Sequence, residues 1–313
     1  MFNGEEAMSG SVDLQVNGYA GVDFNADNVT VAEFRTACVA LRSDGVAHVL
    51  ATVITDSISS LRARLSNIVR ARDEDEQVGK VVTGVHIEGP FLNPEPGYIG
   101  AHPSRHAMPA DLDRMKQLLE AADGLTRIVT LAPECDPGLK VTRWLADQGI
   151  TVSAGHCNPS LDQLHAAIDA GLTMFTHLGN GCPLQMHRHD NIIQRVLSCR
   201  DQLFIGLISD GIHVPFFALQ NYLEIAGDRA FIVTDAISAA GQGPGTYQML
   251  GQEVVVDDNL ATWAADRSHL VGSAMTMPRV RENLTRLGYD AQRIDELTRV
   301  TPMAAIGGLS TSD

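Results

Sequence analysis

The stretch VVTGVHIEGP, residues 81–90, is a short run of branched apolar residues that ends in a carboxylate and a Gly-Pro pair. Such a run is typical of a buried β-strand. Seven further runs rich in Val, Ile and Thr occur along the chain, and longer amphipathic stretches separate them. The eight predicted strands cover residues 12–16, 48–54, 81–88, 127–132, 151–156, 174–178, 204–209 and 231–234.

Helical patterns lie between these strands. They cover residues 31–43, 60–72, 110–121, 139–148 and 161–170. Alternation of strands and helices predicts parallel pairing, because a parallel connection needs a crossover and a helix usually supplies it. Eight such units in 313 residues favour an α/β fold of the closed (β/α)₈, or TIM-barrel, type over an open sheet.

After the eighth strand the pattern changes. Residues 247–250 and 253–256 predict a small β-hairpin insertion with a turn at Gly251-Gln252, and helical patterns resume at 273–287 and 290–299. We see no linker and no internal repeat. The sequence therefore predicts a single domain over residues 1–313, with a barrel core at about 12–308.

Composition excludes several classes of function. The formal net charge is −15 and the chain has only three lysines, so a nucleic-acid partner is not expected. No stretch of 18 apolar residues predicts a membrane span, and residues 1–10 lack the basic and apolar parts of a signal peptide. The five cysteines are scattered without a CxxC pair, which favours a reducing, cytoplasmic location.

Polar residues occur where the predicted strands end. Glu88 ends the third strand, His156 the fifth and His177 the sixth, while Asp235 follows the eighth. In a barrel these ends converge on one face, where active sites lie. Two imidazoles and a carboxylate are a plausible ligand set for a catalytic divalent metal, and Asp235 would then act as general acid/base.

Each of these residues also has a structural alternative. A histidine at a strand end is often a hydrogen-bonded core or rim residue, and the alternative role of Asp235 is to cap a following helix. Asp210, after the seventh strand, is the next candidate for proton transfer. His86 lies one layer deeper than Glu88 on the same strand face, so we interpret it as a buried polar residue rather than a ligand.

Longer motifs carry a resemblance that covers residues 13 to about 308. The chain resembles the N-acetylglucosamine-6-phosphate deacetylase family of the amidohydrolase superfamily. The matching segments are DLQVNG (13–18), GVDF (21–24), GVHIEGPFLN (84–93), GAHP (100–103), LAPE (131–134), AGHCN (154–158), THL (176–178), SDGIHV (209–214), VTDAISAAG (233–241), VGSAMTM (271–277) and 301–307.

The resemblance implies a metal-dependent barrel that hydrolyses N-acetylglucosamine 6-phosphate to glucosamine 6-phosphate and acetate. It implies that Glu88, His156 and His177 bind the metal, which would be zinc, with ferrous iron as the alternative. It implies that Asp235 is the general acid/base, and it suggests a homodimer. The residues that it implies at the substrate are Ala101, His102, Asn180, Gly181, Arg188 and His213, with Val271, Gly272 and Ser273 at the N-acetyl end.

The first strand suggests how many ions bind. Many amidohydrolases carry His-x-His there to hold a second metal, whereas this chain has Gln15 and Asn17. Amides are poor ligands for a zinc-like ion beside imidazole and carboxylate. We therefore expect one divalent ion per chain, with barrel-bottom hydrogen bonding as the alternative role of the two amides.

Three departures from the family pattern keep other functions open. The small β-sandwich of the family is expected to be absent, the loop at 178–191 is altered around Arg188, and GYI (97–99) replaces a lysine-rich approach. Arg188 aligns with a phosphate-binding arginine of the family, and its alternative role is that of a surface residue in a salt bridge. The alternatives are an unphosphorylated or different N-acyl substrate, or a sugar-binding barrel without turnover.

Overall fold

Eight parallel strands follow one another in chain order around a nearly closed barrel in the computed structural model, which describes residues 10–249 and 252–308. They are β1 (Ser11–Val16), β2 (Val46–Ile54), β3 (Val82–Glu88), β4 (Thr126–Leu131), β5 (Thr151–Ala154), β6 (Leu172–Phe175), β7 (Phe204–Ile208) and β8 (Ala230–Val233). A bridge between Val16 and Ala236 joins the first strand to the segment after the last. The predicted barrel fold is therefore confirmed.

Helices cover the outside of the barrel. They are α1 (Val31–Ser43), α2 (Ile58–Glu74), α3 (Glu76–Val81), α4 (Leu112–Ala121), α5 (Lys140–Asp147), α6 (Leu161–Asp169), α7 (Ile192–Ser198), α8 (Phe216–Ala226), α9 (Met277–Arg286), α10 (Ala291–Asp295) and α11 (Thr301–Ala305), with a π-helical turn at Glu296–Val300. Capping explains several starts. Thr30 and Glu33 form a capping box at α1, and the Asp111 side chain accepts the Arg114 N–H at α4.

The strands bury both faces, as expected of a parallel barrel. The inward face carries Leu14, Ile128, Met174 and Phe231 at its base, all at most 2% exposed. The outward face packs on the helices in one continuous core. With its interior filled, the barrel supports a site only at its open, carboxyl-end mouth.

Three antiparallel strands follow the barrel where the sequence predicts a hairpin. They are β9 (Gly245–Met249), β10 (Gln252–Val256) and β11 (Thr262–Ala264), in that order across the sheet. Leu250, at the end of a predicted strand, and Gly251, in the predicted turn, lie outside the described residues. So do residues 1–9, on which the expectation about a signal peptide depends, and residues 309–313 of the predicted domain. Among the described helices, none has the length and apolar character that crossing a membrane requires.

Candidate active site

The mouth of the barrel brings together the residues that end four of its strands. Glu88 is the last residue of β3, whereas His156, His177 and Asp235 each lie two residues beyond β5, β6 and β8. Parallel strands share one carboxyl end, so side chains from distant parts of the sequence meet there. Glu88, His156 and His177 are all buried, at 2%, 6% and 3% exposed.

The three residues beyond the strands share an unusual backbone conformation. The φ angle is +51° at His156, +35° at His177 and +51° at Asp235, all in the left-handed region. Non-glycine residues seldom adopt it, although Asp and His do so more often than most, and such residues cluster at functional sites. Each strand therefore turns sharply as it leaves the sheet, at the residue whose side chain lies in the mouth.

The two imidazoles and the carboxylate converge on one point. His177 Nε2 lies 3.1 Å from Glu88 Oε1, His156 Nε2 lies 3.3 Å from the same oxygen, and the two nitrogens are 3.1 Å apart. His156 Nδ1 lies 2.8 Å from the carbonyl oxygen of Tyr98. Because only a protonated Nδ1 can donate to a carbonyl, Nδ1 of His156 carries a hydrogen, and Nε2 is the nitrogen that faces Glu88.

This donor set fits a divalent metal ion. Lone pairs on two nitrogens and a carboxylate oxygen repel one another at such distances unless a cation, either a proton or a metal ion, lies between them. Ligands about 2.0–2.2 Å from a tetrahedral ion lie about 3.3–3.6 Å from one another, close to the spacing here. Among the described residues, this is the one group of metal-ligating side chains that converges in this way.

The pKa values of Glu88 and His177 also indicate that the site favours a positive charge between these side chains. Burial opposes ionisation of Glu88, but hydrogen bonds from His156 and His177 outweigh it and hold the pKa of the carboxyl well below its usual value. Burial also opposes the charge on His177, yet its hydrogen bond to Glu88 raises the pKa of the imidazole. The site thus stabilises positive charge between these side chains, which a metal ion supplies more fully than a proton.

The second oxygen of Glu88 has partners of its own. Gln15 Nε2 donates to Glu88 Oε2 at 3.2 Å, and His102 Nε2 lies 3.8 Å from the same atom. His102 Nδ1 is 2.9 Å from Thr55 Oγ1. Burial lowers the pKa of His102 to about 3, so this imidazole is neutral. Glu88 is therefore left with one oxygen facing the two histidines.

Asp235 lies across the mouth and is partly buried. Asn17 Nδ2 donates to Asp235 Oδ1 at 2.8 Å. Burial raises the pKa of Asp235 to about 6, while the nearby imidazole of His177 opposes the rise. No helix begins at residues 236–249, so Asp235 does not cap one, and the structural alternative is excluded.

Asp210 and His213 form a second pair at the mouth. His213 Nδ1 is 2.5 Å from Asp210 Oδ2, and the backbone N–H groups of Ile212 and His213 donate to Asp210 Oδ1 at 2.8 Å. Burial opposes ionisation of Asp210, but these bonds outweigh it and lower the pKa of the carboxyl. With its carboxylate occupied in this way, Asp210 is less suited than Asp235 to accept a further proton.

The mouth opens into a cavity of about 760 Å³. Most of the residues predicted at the site line it. These are Glu88, Ala101, His102, His156, His177, Asn180, Gly181, His213, Asp235 and Gly272. Gly181 has φ +60°, and a Cβ there would lie 2.8 Å from His156 Nδ1, so a side chain would push against this imidazole.

Three predicted residues are not in the cavity wall. Val271 and Ser273 are buried behind it, and the Ser273 N–H donates to the Asp235 carbonyl at 2.9 Å. Arg188 is exposed on the loop that follows Leu184 and does not line the cavity. Between the two buried residues, Gly272 has φ +52°, and a Cβ there would come within 2.3 Å of Ile237 Cγ2. Glycine is therefore needed for the backbone to reach the cavity.

One cavity wall comes from residues that the sequence analysis did not single out. It is formed by Met249, Trp263, Ser268, His269 and Leu270, on and beside the antiparallel strands β9 and β11. Among the described residues that line the cavity there is no Lys or Arg. The only sequence signal for this wall was the change of pattern after the eighth strand.

His86 is buried below the mouth, in agreement with its expected structural role. His86 Nδ1 lies 3.1 Å from the Leu14 carbonyl oxygen, and Nε2 lies 2.7 Å from Thr130 Oγ1. Burial lowers the pKa of His86 to about 4. Both nitrogens have partners within the barrel, so neither faces the convergent donor set.

Comparison with known proteins gives close relatives along nearly the whole chain. N-acetylglucosamine-6-phosphate deacetylase of Bos taurus is 34% identical over 307 residues, which are 95% of this chain and 74% of the relative. N-acetylgalactosamine-6-phosphate deacetylase of Escherichia coli O157:H7 is 31% identical over 295 residues, 94% of this chain and 74% of the relative. No protein-family model matches the chain.

Solved structures agree in fold. N-acetylglucosamine-6-phosphate deacetylase from Pasteurella multocida has a TM-score of 0.84 at 27% identity and covers 96% of this chain and 76% of its own. A point mutant of the Mycobacterium smegmatis enzyme, in complex with N-acetyl-D-glucosamine-6-phosphate, has a TM-score of 0.86 at 26% identity. That match covers 96% of this chain and 78% of the other.

Proposed function

The chain belongs to the N-acetylglucosamine-6-phosphate deacetylase family, and we propose that it hydrolyses the N-acetyl group of N-acetylglucosamine 6-phosphate to give glucosamine 6-phosphate and acetate. The observation that carries the proposal is the convergence of Glu88, His156 and His177 in the cavity that Asp235 also lines. A buried donor set beside a carboxylate with a raised pKa is suited to metal-assisted hydrolysis.

The protein's own residues divide the work. Glu88, His156 and His177 would hold one divalent ion, which when bound supplies a Lewis acid that polarises the acetamide carbonyl and acidifies water. Asp235 would accept a proton from the water as the water oxygen bonds to the acyl carbon. The same carboxyl would return that proton to nitrogen as the C–N bond breaks, so that an amine leaves rather than an amide anion.

Acetate release tests this function directly. We expect the protein, supplied with zinc or ferrous ion, to release acetate and glucosamine 6-phosphate in equal amounts from N-acetylglucosamine 6-phosphate. The galacto epimer is a useful parallel substrate, because one relative is named for it. If neither sugar yields a product with either ion, the proposal is contradicted.

A second candidate is an unphosphorylated or otherwise different N-acyl substrate. The cavity favours it in one respect, since none of the described lining residues is a Lys or Arg, the usual partners of phosphate. Turnover of N-acetylglucosamine with and without the 6-phosphate separates the two candidates. A higher kcat/KM for the unphosphorylated sugar would favour the second.

Metal stoichiometry follows from the side chains of the first strand. Gln15 and Asn17 donate hydrogen bonds to carboxylates at the mouth, and amides compete poorly as ligands for a zinc-like ion. We therefore expect elemental analysis to find one tightly held ion per chain after dialysis. Two retained ions per chain would show that the site is larger than Glu88, His156 and His177.

Arg188 stays a prediction from the resemblance. Its side chain is exposed beside the cavity, so a contact with phosphate needs the loop at 184–191 to close over the mouth. If that contact forms, Arg188→Ala should raise the KM for the phosphorylated sugar about tenfold, as expected for one charge-assisted hydrogen bond. The KM for the unphosphorylated sugar should stay unchanged. Equal KM values for wild type and variant on both sugars would assign Arg188 to the surface.

Three finer points belong to the same proposal. We propose zinc rather than ferrous iron as the resident ion, a homodimer as the assembly and the cytoplasm as the location. All five cysteines are free, which suits a reducing compartment. Elemental analysis after anaerobic purification distinguishes the metals, and sedimentation measures the assembly.

A further inference from the structure

Two amide side chains at the end of β1 each hold a different carboxylate of the site. Gln15 lies in β1 and Asn17 is the residue directly after it, and both side chains reach the mouth of the barrel. Gln15 Nε2 donates to Glu88 Oε2 at 3.2 Å, and Asn17 Nδ2 donates to Asp235 Oδ1 at 2.8 Å. Gln15 thus contacts the carboxylate of the proposed metal ligand, and Asn17 contacts the carboxylate of the proposed general acid/base.

We infer that Asn17 is a positioning residue for this hydrolysis, which holds the carboxylate of Asp235 in the orientation that proton transfer needs. The inference rests on the proposed function in one respect, the role of Asp235. Asn17 lines the cavity but is itself only 3% exposed. Within residues 10–249 and 252–308, its amide is the one group that donates a hydrogen bond to the carboxylate of Asp235.

The backbone around Asn17 makes this contact rigid. The N–H groups of Asn17 and Gly18 both donate to the carbonyl oxygen of Ala236, at 2.7 and 3.1 Å. Ala236 is the residue after Asp235, so the segments that carry the amide and the carboxylate are bonded to each other directly. The Phe24 N–H donates to the Asn17 carbonyl at 3.0 Å and anchors the other side. The backbone that carries the amide therefore cannot move away from Asp235 without breaking several hydrogen bonds.

The bond also distinguishes the two oxygens of Asp235. Oδ1 is occupied by the amide of Asn17, which leaves Oδ2 to exchange a proton with the reactants. Asn17 Oδ1 is buried without a partner among the described residues, so it can accept a hydrogen from a reactant in the cavity. A polar group that is half satisfied in this way is typical of a functional site rather than of a packed core.

A double-mutant cycle tests the inference. We expect Asn17→Ala to lower kcat about 10- to 100-fold, as for loss of a hydrogen bond to a charged group, and to change KM less than about threefold. In a chain that already carries Asp235→Ala, Asn17→Ala should lower the residual kcat less than about twofold, because the group it positions is gone. A merely structural role predicts instead that the two losses multiply, and that result would overturn the inference.

Gln15 provides the matched comparison, since it is an amide two residues earlier in the chain that contacts the other carboxylate. Elemental analysis should find the metal content of Asn17→Ala unchanged, whereas Gln15→Ala should retain less metal after dialysis. If Asn17→Ala loses as much metal as Gln15→Ala, Asn17 supports the metal site and the inference is wrong.

Two further measurements make the test independent of folding and of substrate. Asn17→Leu has nearly the same size but lacks the donor, so it should show the same loss of kcat even if the alanine variant folds poorly. A crystal structure of either variant should show the Asp235 carboxylate rotated from its wild-type position, and an unmoved carboxylate would contradict the inference. If wild-type protein fails to release acetate, the proposed function fails, while the structural comparison still decides the role of Asn17.

Discussion

Asp235→Asn is expected to lower kcat about 10²–10⁴-fold, the usual effect of losing a positioned acid/base, while the metal content of the protein stays unchanged. Asparagine has nearly the same shape as aspartate, yet it cannot accept a proton from water. Asp235 lies outside the donor set of Glu88, His156 and His177, so the ion should remain bound. Acetate release and elemental analysis on the same preparation measure both effects.

The pH dependence of kcat provides a second measurement on this variant. Burial raises the pKa of Asp235 to about 6, and a bound cation would lower it again. Because the base must be deprotonated, kcat of the wild type should fall as pH decreases through about 6 or somewhat below. Asp235→Asn should lack this acidic limb. A near-wild-type rate in the variant, with the limb intact, would place the proton transfer elsewhere, and Asp210 would be the next candidate.

The location of the site was predictable from the sequence for a simple reason. Parallel strands in a barrel share one carboxyl end, so polar residues that end successive apolar runs must approach one another. That argument requires only the order of strands, and it places Glu88, His156, His177 and Asp235 at one mouth. It does not require the exact strand ends. The largest difference is at β6, which is predicted to end at residue 178 and ends at Phe175.

The features that escaped prediction depend on contacts between distant segments. The backbone at His156 and His177 is left-handed although neither residue is a glycine, so the sequence does not indicate this conformation. It is determined by how the strands end in the folded barrel. Trp263 and His269 reach the cavity because the antiparallel strands fold back against the mouth. Hydrophobic periodicity predicts a strand, but it does not predict which part of the barrel that strand packs against. The bond between Asn17 and Asp235 joins residues 218 positions apart.

The same distinction explains Arg188. Its alignment with a family motif predicts a substrate contact, but an exposed loop position depends on its neighbours, and these have changed in this chain. The structure leaves the guanidinium outside the cavity wall. The barrel itself determines where a strand end lies, whereas the place of a loop residue depends on the loop's own sequence, so the role of Arg188 stays a prediction.

His177→Ala is expected to abolish metal retention. Removing a residue that only hydrogen-bonds to a metal ligand lowers metal affinity roughly 10–100-fold, and loss of a ligand itself should lower it further. The reason is geometric. His177 Nε2 is within 3.1 Å of both Glu88 Oε1 and His156 Nε2, so its removal leaves two donors where three converged. Acetate release should become undetectable without added metal. The protein should stay folded, since the mouth lies outside the packed layers of the barrel, and circular dichroism measures this.

His102→Ala is the control that makes this result specific to the donor set. His102 is also a buried imidazole at the mouth, and its ring centroid is 4.3 Å from that of His156, but its Nε2 lies 3.8 Å from Glu88 Oε2 rather than facing Oε1. We expect this variant to keep one ion per chain, because at 3.8 Å His102, unlike Gln15, makes no hydrogen bond to Glu88. Equal metal loss in both variants would mean that any buried imidazole here supports the ion. Loss in His177→Ala alone would instead identify the three converging atoms as the ligands, because the two histidines differ mainly in which oxygen of Glu88 they face.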